Sequence, residues 1–206
     1  MSTNERLSIP LPRRMRTLAK DKRGYPVPFL VVVDQSGLPQ FTINDVRKVQ
    51  QCIGKKLCAI CGKRFDRNPV SFKDEMWFVG GSRCFLHPHG AFLDPPVHLE
   101  CAEYALQVCP FLAAPHYSGR IDTAKLKPEN MPEGMTVVRT DYMPPQLPER
   151  FGLGMCHRYR MTSPHPGGVM FLVDDWRYVE WWRNGERINA PDTAEPVADP
   201  REMVDS

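Results

Sequence analysis

The first half of the chain opens with short apolar runs of the length expected for strands. Residues 29–34 are apolar up to Asp34, residues 35–39 contain glycine and proline, and residues 40–43 alternate polar and apolar side chains. Two such runs joined by a short turn are typical of an antiparallel hairpin. We therefore predict a two-stranded hairpin over residues 29–43.

A helix is predicted directly after this hairpin. Asn44 or Asp45 can cap its first turn, and Gly54 stands where a helix commonly ends. Apolar side chains recur between these points at the spacing of one helical face. Those apolar positions are Val46, Val49 and Ile53.

A second hairpin and a second helix are predicted between residues 76 and 112. Residues 76–79 and 83–86 are apolar runs joined by Gly80 and Gly81, and paired glycines supply the positive φ angles of a tight turn. A helix is predicted over residues 96–107. Pro110 ends it, because proline cannot continue the helical hydrogen bonds.

The C-terminal part of the chain has a weaker pattern. Residues 113–150 are rich in proline and give one predicted strand, at 135–139. Two further strands are predicted at 156–161 and 169–173, on either side of a turn rich in proline and glycine.

A short helix is then predicted over residues 176–184. Asp174 and Asp175 can cap its start, and Gly185 stands at its end. The segment contains three tryptophans, which bury large areas, so we expect it to plug a core.

The chemistry of the chain is concentrated in two pairs of soft metal ligands. Cys58 and Cys61 form a Cys-x2-Cys pair, and His98 and Cys101 form a His-x2-Cys pair 36 residues further on. Gly62 allows a tight turn after the first pair, and the second pair falls on the first turn of the predicted helix. Four N or S donors are what a tetrahedral zinc site requires. We therefore predict one structural Zn²⁺ bound by these four residues, with Cys84 as a reserve ligand.

Other roles for the seven cysteines fit the sequence less well. A redox Cys-x-x-Cys motif is expected in a βαβ context, which is missing here. A disulfide framework conflicts with the odd cysteine count, the length and the lack of an apolar signal segment near Met1. Buried cysteine can also serve as a small apolar side chain. Reduced thiols and a metal site lead us to expect a cytoplasmic protein.

A knuckle followed by a hairpin and a helix is the plan of a treble-clef zinc module. The predicted fold class is therefore α+β, with a treble-clef-like module between small antiparallel β elements. The predicted parts are a basic extended arm (1–24), a zinc-binding α+β domain (25–112), a Pro-rich segment with a β-hairpin and Trp-rich helix (113–190), and a disordered tail (191–206). The chain has 21 prolines among 206 residues, about twice the usual ~5%.

Positive charge is concentrated in two segments. Residues 1–24 and 45–67 each carry a net charge of +5, whereas residues 174–206 carry −5 and the whole chain +3. A basic surface attracts anionic partners, although the two ends of the chain can also attract each other. We therefore expect a macromolecular partner, either protein or nucleic acid. The candidate contact residues are Arg13, Arg14, Arg16, Lys55, Lys56 and Arg64.

Several blocks of the chain resemble a family of bacterial and bacteriophage proteins that has no established activity. The blocks lie at residues 23–29, 57–62, 95–105 and 109–112, and later at 167–171 and 179–182. Cys84 also matches a family position. The resemblance spans roughly residues 23–187 and ends in the acidic, Pro-rich stretch from Ala190. It implies a phage or mobile-element context, and the expected location of a phage-encoded protein is the host cytoplasm.

Binding rather than catalysis is the function that these observations favour. We expect an accessory factor that docks on a host macromolecule. The alternative is a metal-dependent nuclease of the His-Asn-His type, with His87 and His89 as candidate catalytic groups. Only nine positions separate His89 from His98, which is short for the hairpin that such a site needs.

Overall fold

The computed structural model describes residues 3–67, 73–86, 90–113, 148–163 and 168–189. The strands in these ranges pair antiparallel in three small sheets. Short helices lie before and between them, so the predicted α+β class is confirmed. The predicted strand at 135–139 and the predicted tail at 191–206 lie outside the described residues.

The elements are as follows in chain order. The helices are α1 (Thr3–Leu7), a 3-10 helix (Arg13–Met15), α2 (Val46–Lys55), α3 (Ser82–Leu86), α4 (Leu99–Val108) and α5 (Pro110–Ala113). The strands are β1 (Val31–Val33), β2 (Pro39–Asn44), β3 (Met76–Gly81), β4 (Ala91–Phe92), β5 (Phe151–Cys156), β6 (Arg160–Thr162), β7 (Met170–Leu172), β8 (Tyr178–Arg183) and β9 (Glu186–Ile188).

Long-range strand pairing joins the two halves of the chain. One sheet is the hairpin β1-β2, the second has the order β3-β5-β8-β9, and the third has the order β4-β7-β6. β3 and β4 therefore pair with strands that lie beyond residue 112, the end of the predicted zinc-binding domain. Phe78 on β3, Leu153 on β5 and Phe171 on β7 are fully buried in the core that results.

The predicted first hairpin and first helix are both present. Val33 pairs with Pro39 across the turn. The side chain of Asp45 caps α2 by accepting a hydrogen bond of 2.9 Å from the backbone N–H of Arg47. The helix passes through Gly54 and ends at Lys56, whose φ of 53° lies in the left-handed region.

The N-terminal segment is folded onto the body of the protein, so the prediction of an extended arm over residues 1–24 is wrong in this respect. It forms α1 and the 3-10 helix, and Met15 is 2% exposed. The buried guanidinium of Arg6 donates a hydrogen bond of 2.9 Å to the carbonyl of Ala113. The apolar side chains that pack on the core here, such as Leu7 and Leu18, follow no regular period, so the sequence pattern did not reveal them.

The predicted second hairpin is also wrong, because Gly80 and Gly81 belong to a strand. β3 runs through both glycines and pairs along its full length with β5, and α3 follows directly. A Cβ atom on Gly80 would lie 2.8 Å from the ring of Phe92. Close approach of neighbouring groups, not a tight turn, is what requires glycine at this point.

The predicted Trp-rich helix is a hairpin. β8 pairs with β9, and Asn184 and Gly185 form its two-residue turn with φ angles of 54° and 85°. Asn-Gly is the favoured pair for a type I′ turn, so the hairpin signal was present in the sequence. Instead of capping a helix, Asp174 and Asp175 form ion pairs with Arg160 and Arg177.

The predicted strand at 156–161 is divided between two strands. Cys156 ends β5, and Arg160 begins β6 in a different sheet. The predicted strand at 169–173 corresponds to β7, which pairs with β6.

Candidate metal centre

The first ligand pair lies on a tight knuckle. Leu57 and Arg64 pair as an antiparallel bridge on either side of it. Inside this bridge the N–H of Cys58 donates to the carbonyl of Lys63 at 2.8 Å, and the N–H of Gly62 donates to the carbonyl of Cys58 at 2.9 Å. The φ of Gly62 is 69°, which is the left-handed conformation that glycine adopts without strain. The knuckle thus turns both thiols of the Cys-x2-Cys pair toward one point.

The second pair lies at the start of α4. His98 is the N-cap residue, in extended conformation, and Cys101 is in the first turn. The N–H of Ala102 donates to the carbonyl of His98 at 3.0 Å, which fixes that turn. Residues three apart on a helix lie on the same side, so His98 and Cys101 face the knuckle together.

Backbone hydrogen bonds hold the two pairs against each other. The N–H of Ala59 in the knuckle donates to the carbonyl of Pro96 at 3.1 Å. Val97 and Trp77 exchange hydrogen bonds of 2.8 and 3.0 Å, which attaches the start of α4 to β3. On the other side, the N–H of Leu30 donates to the carbonyl of Ala59 at 3.0 Å. The geometry of the four donors therefore follows from backbone pairing on three sides.

The four predicted ligands come together in one buried cluster. Their donor atoms all lie within 4.8 Å of one another. Cys58 and Cys101 are fully buried, and Cys61 and His98 are nearly so. The Cys61 Sγ lies 3.3 Å from the His98 Nδ1. In a tetrahedral zinc site, a sulfur bound at about 2.3 Å and a nitrogen bound at about 2.0 Å lie about 3.5 Å apart, so this spacing suits a shared metal ion.

The imidazole of His98 is oriented for metal binding through Nδ1. Its other nitrogen, Nε2, lies 3.0 Å from the backbone carbonyl of Arg64. A carbonyl oxygen only accepts, so Nε2 carries a proton, and Nδ1 is the nitrogen that faces the cysteine sulfurs. The ring of Phe65 packs on the imidazole with the ring centroids 4.9 Å apart. Such outer contacts fix the tautomer and the ring plane of a metal-bound histidine.

The protonation of the cluster shows how tightly its donors are packed. Hydrogen bonds from the thiols of Cys101 and Cys58 hold the pKa of Cys61 well below its usual range. The thiol of Cys101 donates hydrogen bonds to Cys58 and Cys61, and this raises the pKa of Cys101. Burial opposes a charged imidazole at His98, but hydrogen bonds and charge from Cys58 and Cys61 outweigh it and raise the pKa of His98 to about 10. Bound metal would take the place of the protons that these donors share.

Backbone amides also contact a sulfur of the cluster. The backbone N–H groups of Cys61 and His98 point at the Cys58 Sγ, at 3.5 and 3.4 Å. The cluster thus has the donor set, the burial and the surrounding hydrogen bonds of a closed metal site, and the four residues can hold one metal ion.

Two other cysteines are placed outside this set. Cys84, the predicted reserve ligand, lies on α3 beside Gly80 and is not one of the four clustered donors. Cys52 on α2 is close enough for the charges of Cys58 and Cys61 to affect it. Burial is the main cause that raises its pKa to about 12, which keeps this thiol neutral.

Two of the six predicted contact cations form ion pairs, and the other four are exposed. Arg14 forms ion pairs with Asp66 and with Glu100, and Lys56 forms one with Asp74 at 2.8 Å. The other four cations are exposed, and no carboxylate within the described ranges pairs with them. They are Arg13, Arg16, Lys55 and Arg64.

The outer contacts of the cluster were not predicted from the sequence. The Arg64 carbonyl and the Phe65 ring reach His98 from 34 and 33 positions away along the chain. Both residues closely follow the Cys-x2-Cys pair in the sequence, and this position was the only signal for their role.

The nuclease alternative is not tested by the described residues. His87 and His89 lie outside them. In the part of the chain that the structure describes, the Cys3His cluster is the one group of three or more potential ligand side chains close enough to share a metal. No helix there is long and apolar enough to span a membrane.

Comparison of the chain with protein-family models, with curated proteins and with solved structures gives no match.

Proposed function

We propose that the chain is a zinc-stabilised binding protein without catalytic activity. One structural Zn²⁺ holds the knuckle to the start of α4. The basic surface beside the knuckle docks on an anionic macromolecule, a host protein or nucleic acid. The resemblance of the blocks at residues 57–62 and 95–105 to bacterial and bacteriophage proteins supports an accessory role for a phage or mobile element in the cytoplasm.

The observation that carries this proposal is the closed, buried set of three cysteines and one histidine. Structural zinc sites have four protein ligands, whereas catalytic zinc sites keep one position open for water or substrate. Here four protein donors surround one point, and each belongs to a buried residue. Zinc suits this set because mixed thiolate and imidazole ligands in tetrahedral geometry are its usual structural environment.

The knuckle and the helix start also support a treble-clef relationship. The metal would join a β-knuckle to the first turn of a helix, as in that module. The hairpin that normally lies between them is replaced in the described residues by β3 and β4, which pair in separate sheets. We infer a variant in which long-range strands take over the role of the local hairpin.

Metal analysis and isolation of partners test the proposal together. Protein purified without chelators should contain about one equivalent of zinc per chain. Tagged protein isolated from its native host should retain a macromolecular partner that is released by salt. Protein with no bound metal and with the three cluster thiols free in the native fold would contradict the structural zinc.

A cleavage assay tests the absence of catalysis. The protein should leave plasmid and single-stranded DNA intact in magnesium or manganese buffer. Cleavage by the parent that disappears in a His87→Ala, His89→Ala double variant would favour the nuclease instead.

A further inference from the structure

The structure joins the two basic segments that lie apart in the sequence. The Arg14 guanidinium forms ion pairs with Asp66 at the end of the knuckle and with Glu100 on α4. The N–H of Phe65 donates to the carbonyl of Lys56 at 3.3 Å, so the end of α2 lies beside the same strand of the knuckle. Segments 1–24 and 45–67, each with a net charge of +5, therefore meet on one side of the metal cluster.

Internal pairing leaves an excess of cations at this junction. Three of the four acids in the two segments form ion pairs with arginines of the same segments, namely Asp21 with Arg23, Asp45 with Arg47 and Asp66 with Arg14. Exposed cations remain on the knuckle, at the end of α2 and on either side of Arg14, and no carboxylate of the described ranges pairs with them. They are Arg13, Arg16, Lys55, Lys63 and Arg64. We call these five residues the knuckle cations.

A depression of about 290 Å³ opens beside the end of α2 and the knuckle, where its lining residues Lys56 and Phe65 are the chain neighbours of Lys55 and Arg64. Phe65, Tyr159 and His157 contribute three half-buried rings to its lining, and Arg158 contributes an exposed cation. Lys56 and Asp74 lie at the same depression and pair with each other at 2.8 Å. Aromatic rings next to cations suit a ligand that has both a flat ring and a negative charge.

We infer that this face binds single-stranded nucleic acid. The knuckle cations contact successive phosphates, and the depression receives an unpaired base that stacks on its rings. Arg158 then lies near the phosphate of that nucleotide, and Asp74 can accept a hydrogen bond from an amino group of the base. A paired base in a duplex keeps its ring faces stacked inside the helix, so only a single strand can use the depression. This inference rests on the proposed function and narrows its anionic partner to one class.

Binding measurements on the full chain test the inference. The probes are a fluorescein-labelled single strand of about 16 nucleotides, the same sequence as a duplex, and labelled polyglutamate, each followed by fluorescence anisotropy over a range of salt. We expect the single strand to bind more tightly than the duplex or the polypeptide. Its affinity should fall steeply with salt, because each phosphate that the protein neutralises releases a counterion.

Charge variants locate the phosphate contacts. The variant Arg13→Gln, Arg16→Gln, Arg64→Gln should bind the single strand more weakly, and its salt slope should fall by about 0.7 for each phosphate that it no longer neutralises. Arg183→Gln is the matched control, because Arg183 is an exposed arginine on β8 that pairs with Glu149. The control should bind like the parent.

A ring variant and photo-crosslinking test the depression itself. Phe65→Leu keeps an apolar side chain beside His98 but removes a stacking ring, so the affinity for the single strand should fall about fivefold or more while polyglutamate binding is unchanged. Zinc content confirms that the variant is folded. An oligonucleotide with 5-iodouracil should crosslink to the peptides that contain Phe65 or Tyr159, which tests the site without any substitution.

The outcomes separate this inference from the proposed function. Salt-sensitive binding of polyglutamate that exceeds binding of the single strand and weakens in the triple arginine variant would leave an anionic partner in place but overturn nucleic acid. Equal affinity for duplex and single strand, with no effect of Phe65→Leu, would overturn the base site. Failure of all three probes to bind would overturn both proposals.

Discussion

At the scale of single residues, the Cys3His cluster depends on its own four donors, and we expect that no cysteine outside the cluster can replace one of them. Cys61→Ser should yield protein without zinc that is insoluble or lacks a cooperative melting transition, because structural zinc contributes on the order of 10 kcal/mol to folding in small modules. Cys84→Ser is the control, since Cys84 lies outside the cluster. It should keep one zinc and melt close to the parent. Metal analysis and circular dichroism of both variants provide the measurement. A Cys61→Ser protein that keeps its zinc and melts like the parent would contradict a structural role.

Two separate properties of the knuckle disfavour any residue other than glycine at position 62, and a pair of variants can separate their effects. The φ of 69° at Gly62 disfavours other residues, and a Cβ there would lie 2.8 Å from the ring of Phe29. Gly37 has a φ of 80°, but a Cβ there would meet no atom within 4 Å. Gly37→Ala should therefore cost about 1–2 kcal/mol from backbone strain alone, and Gly62→Ala a further 1–3 kcal/mol or so from overpacking. Urea unfolding with saturating zinc measures both, and equal losses would show that the Phe29 contact is unimportant.

The sequence predicts the four donors but not what surrounds them. Cys58 with Cys61, and His98 with Cys101, are recognisable because each pair is local and its spacing is set by the geometry of a knuckle or a helical turn. The carbonyl that orients His98 belongs to Arg64, 34 positions away. Every residue other than proline has the same backbone N–H and carbonyl groups, so no residue type identifies this acceptor in the sequence.

At the scale of elements, the N-terminal segment is held to the core by side chains without a regular period. Met15 in the 3-10 helix is 2% exposed, whereas Leu38 in the turn of the first hairpin is 50% exposed. Met15→Ala should destabilise the protein by about 2–5 kcal/mol, the usual range for truncation of a buried methionine. Leu38→Ala should change stability by less than about 0.5 kcal/mol. Denaturant midpoints compare the two, and a negligible loss for Met15→Ala would mean that the segment is not held to the core.

Local elements were predicted well, and elements that depend on distant partners were not. The first hairpin, α2 and α4 follow from caps, turns and apolar spacing within about ten residues. The pairing of β3 with β5 joins residue 81 to residue 151, and nothing near Gly80 and Gly81 indicates that partner. β8 was assigned to a helix because its tryptophans fit one helical side, although the following Asn184-Gly185 turn favoured a hairpin.

At the scale of the whole molecule, β3 connects the metal cluster to the largest sheet. The backbone of Trp77 on β3 forms hydrogen bonds with Val97, which is next to His98, and the same strand pairs with β5. Removal of zinc by a strong chelator should therefore unfold the described fold in one transition. Cysteine accessibility reports on the cluster, and tryptophan fluorescence reports on the sheet, since Trp77 lies on β3 and Trp181 and Trp182 lie on β8. The two probes should change together, and added zinc should restore both. Loss of the cluster with unchanged tryptophan fluorescence would show that the two parts are independent.

The pairing of β3 with β5 also determines when the protein can fold during its synthesis. The knuckle and α4 are complete once residue 108 has left the ribosome, so zinc can bind early. Phe151 follows Gly81 by 70 positions, so the backbone of β3 has no β5 partner for roughly 4–14 s after its own synthesis, at about 5–20 residues per second. During this interval an apolar strand edge is exposed on the nascent chain. Faster translation, or a chaperone that covers the sequence around Trp77 and Phe78, should therefore increase the yield of soluble protein more than additional zinc does.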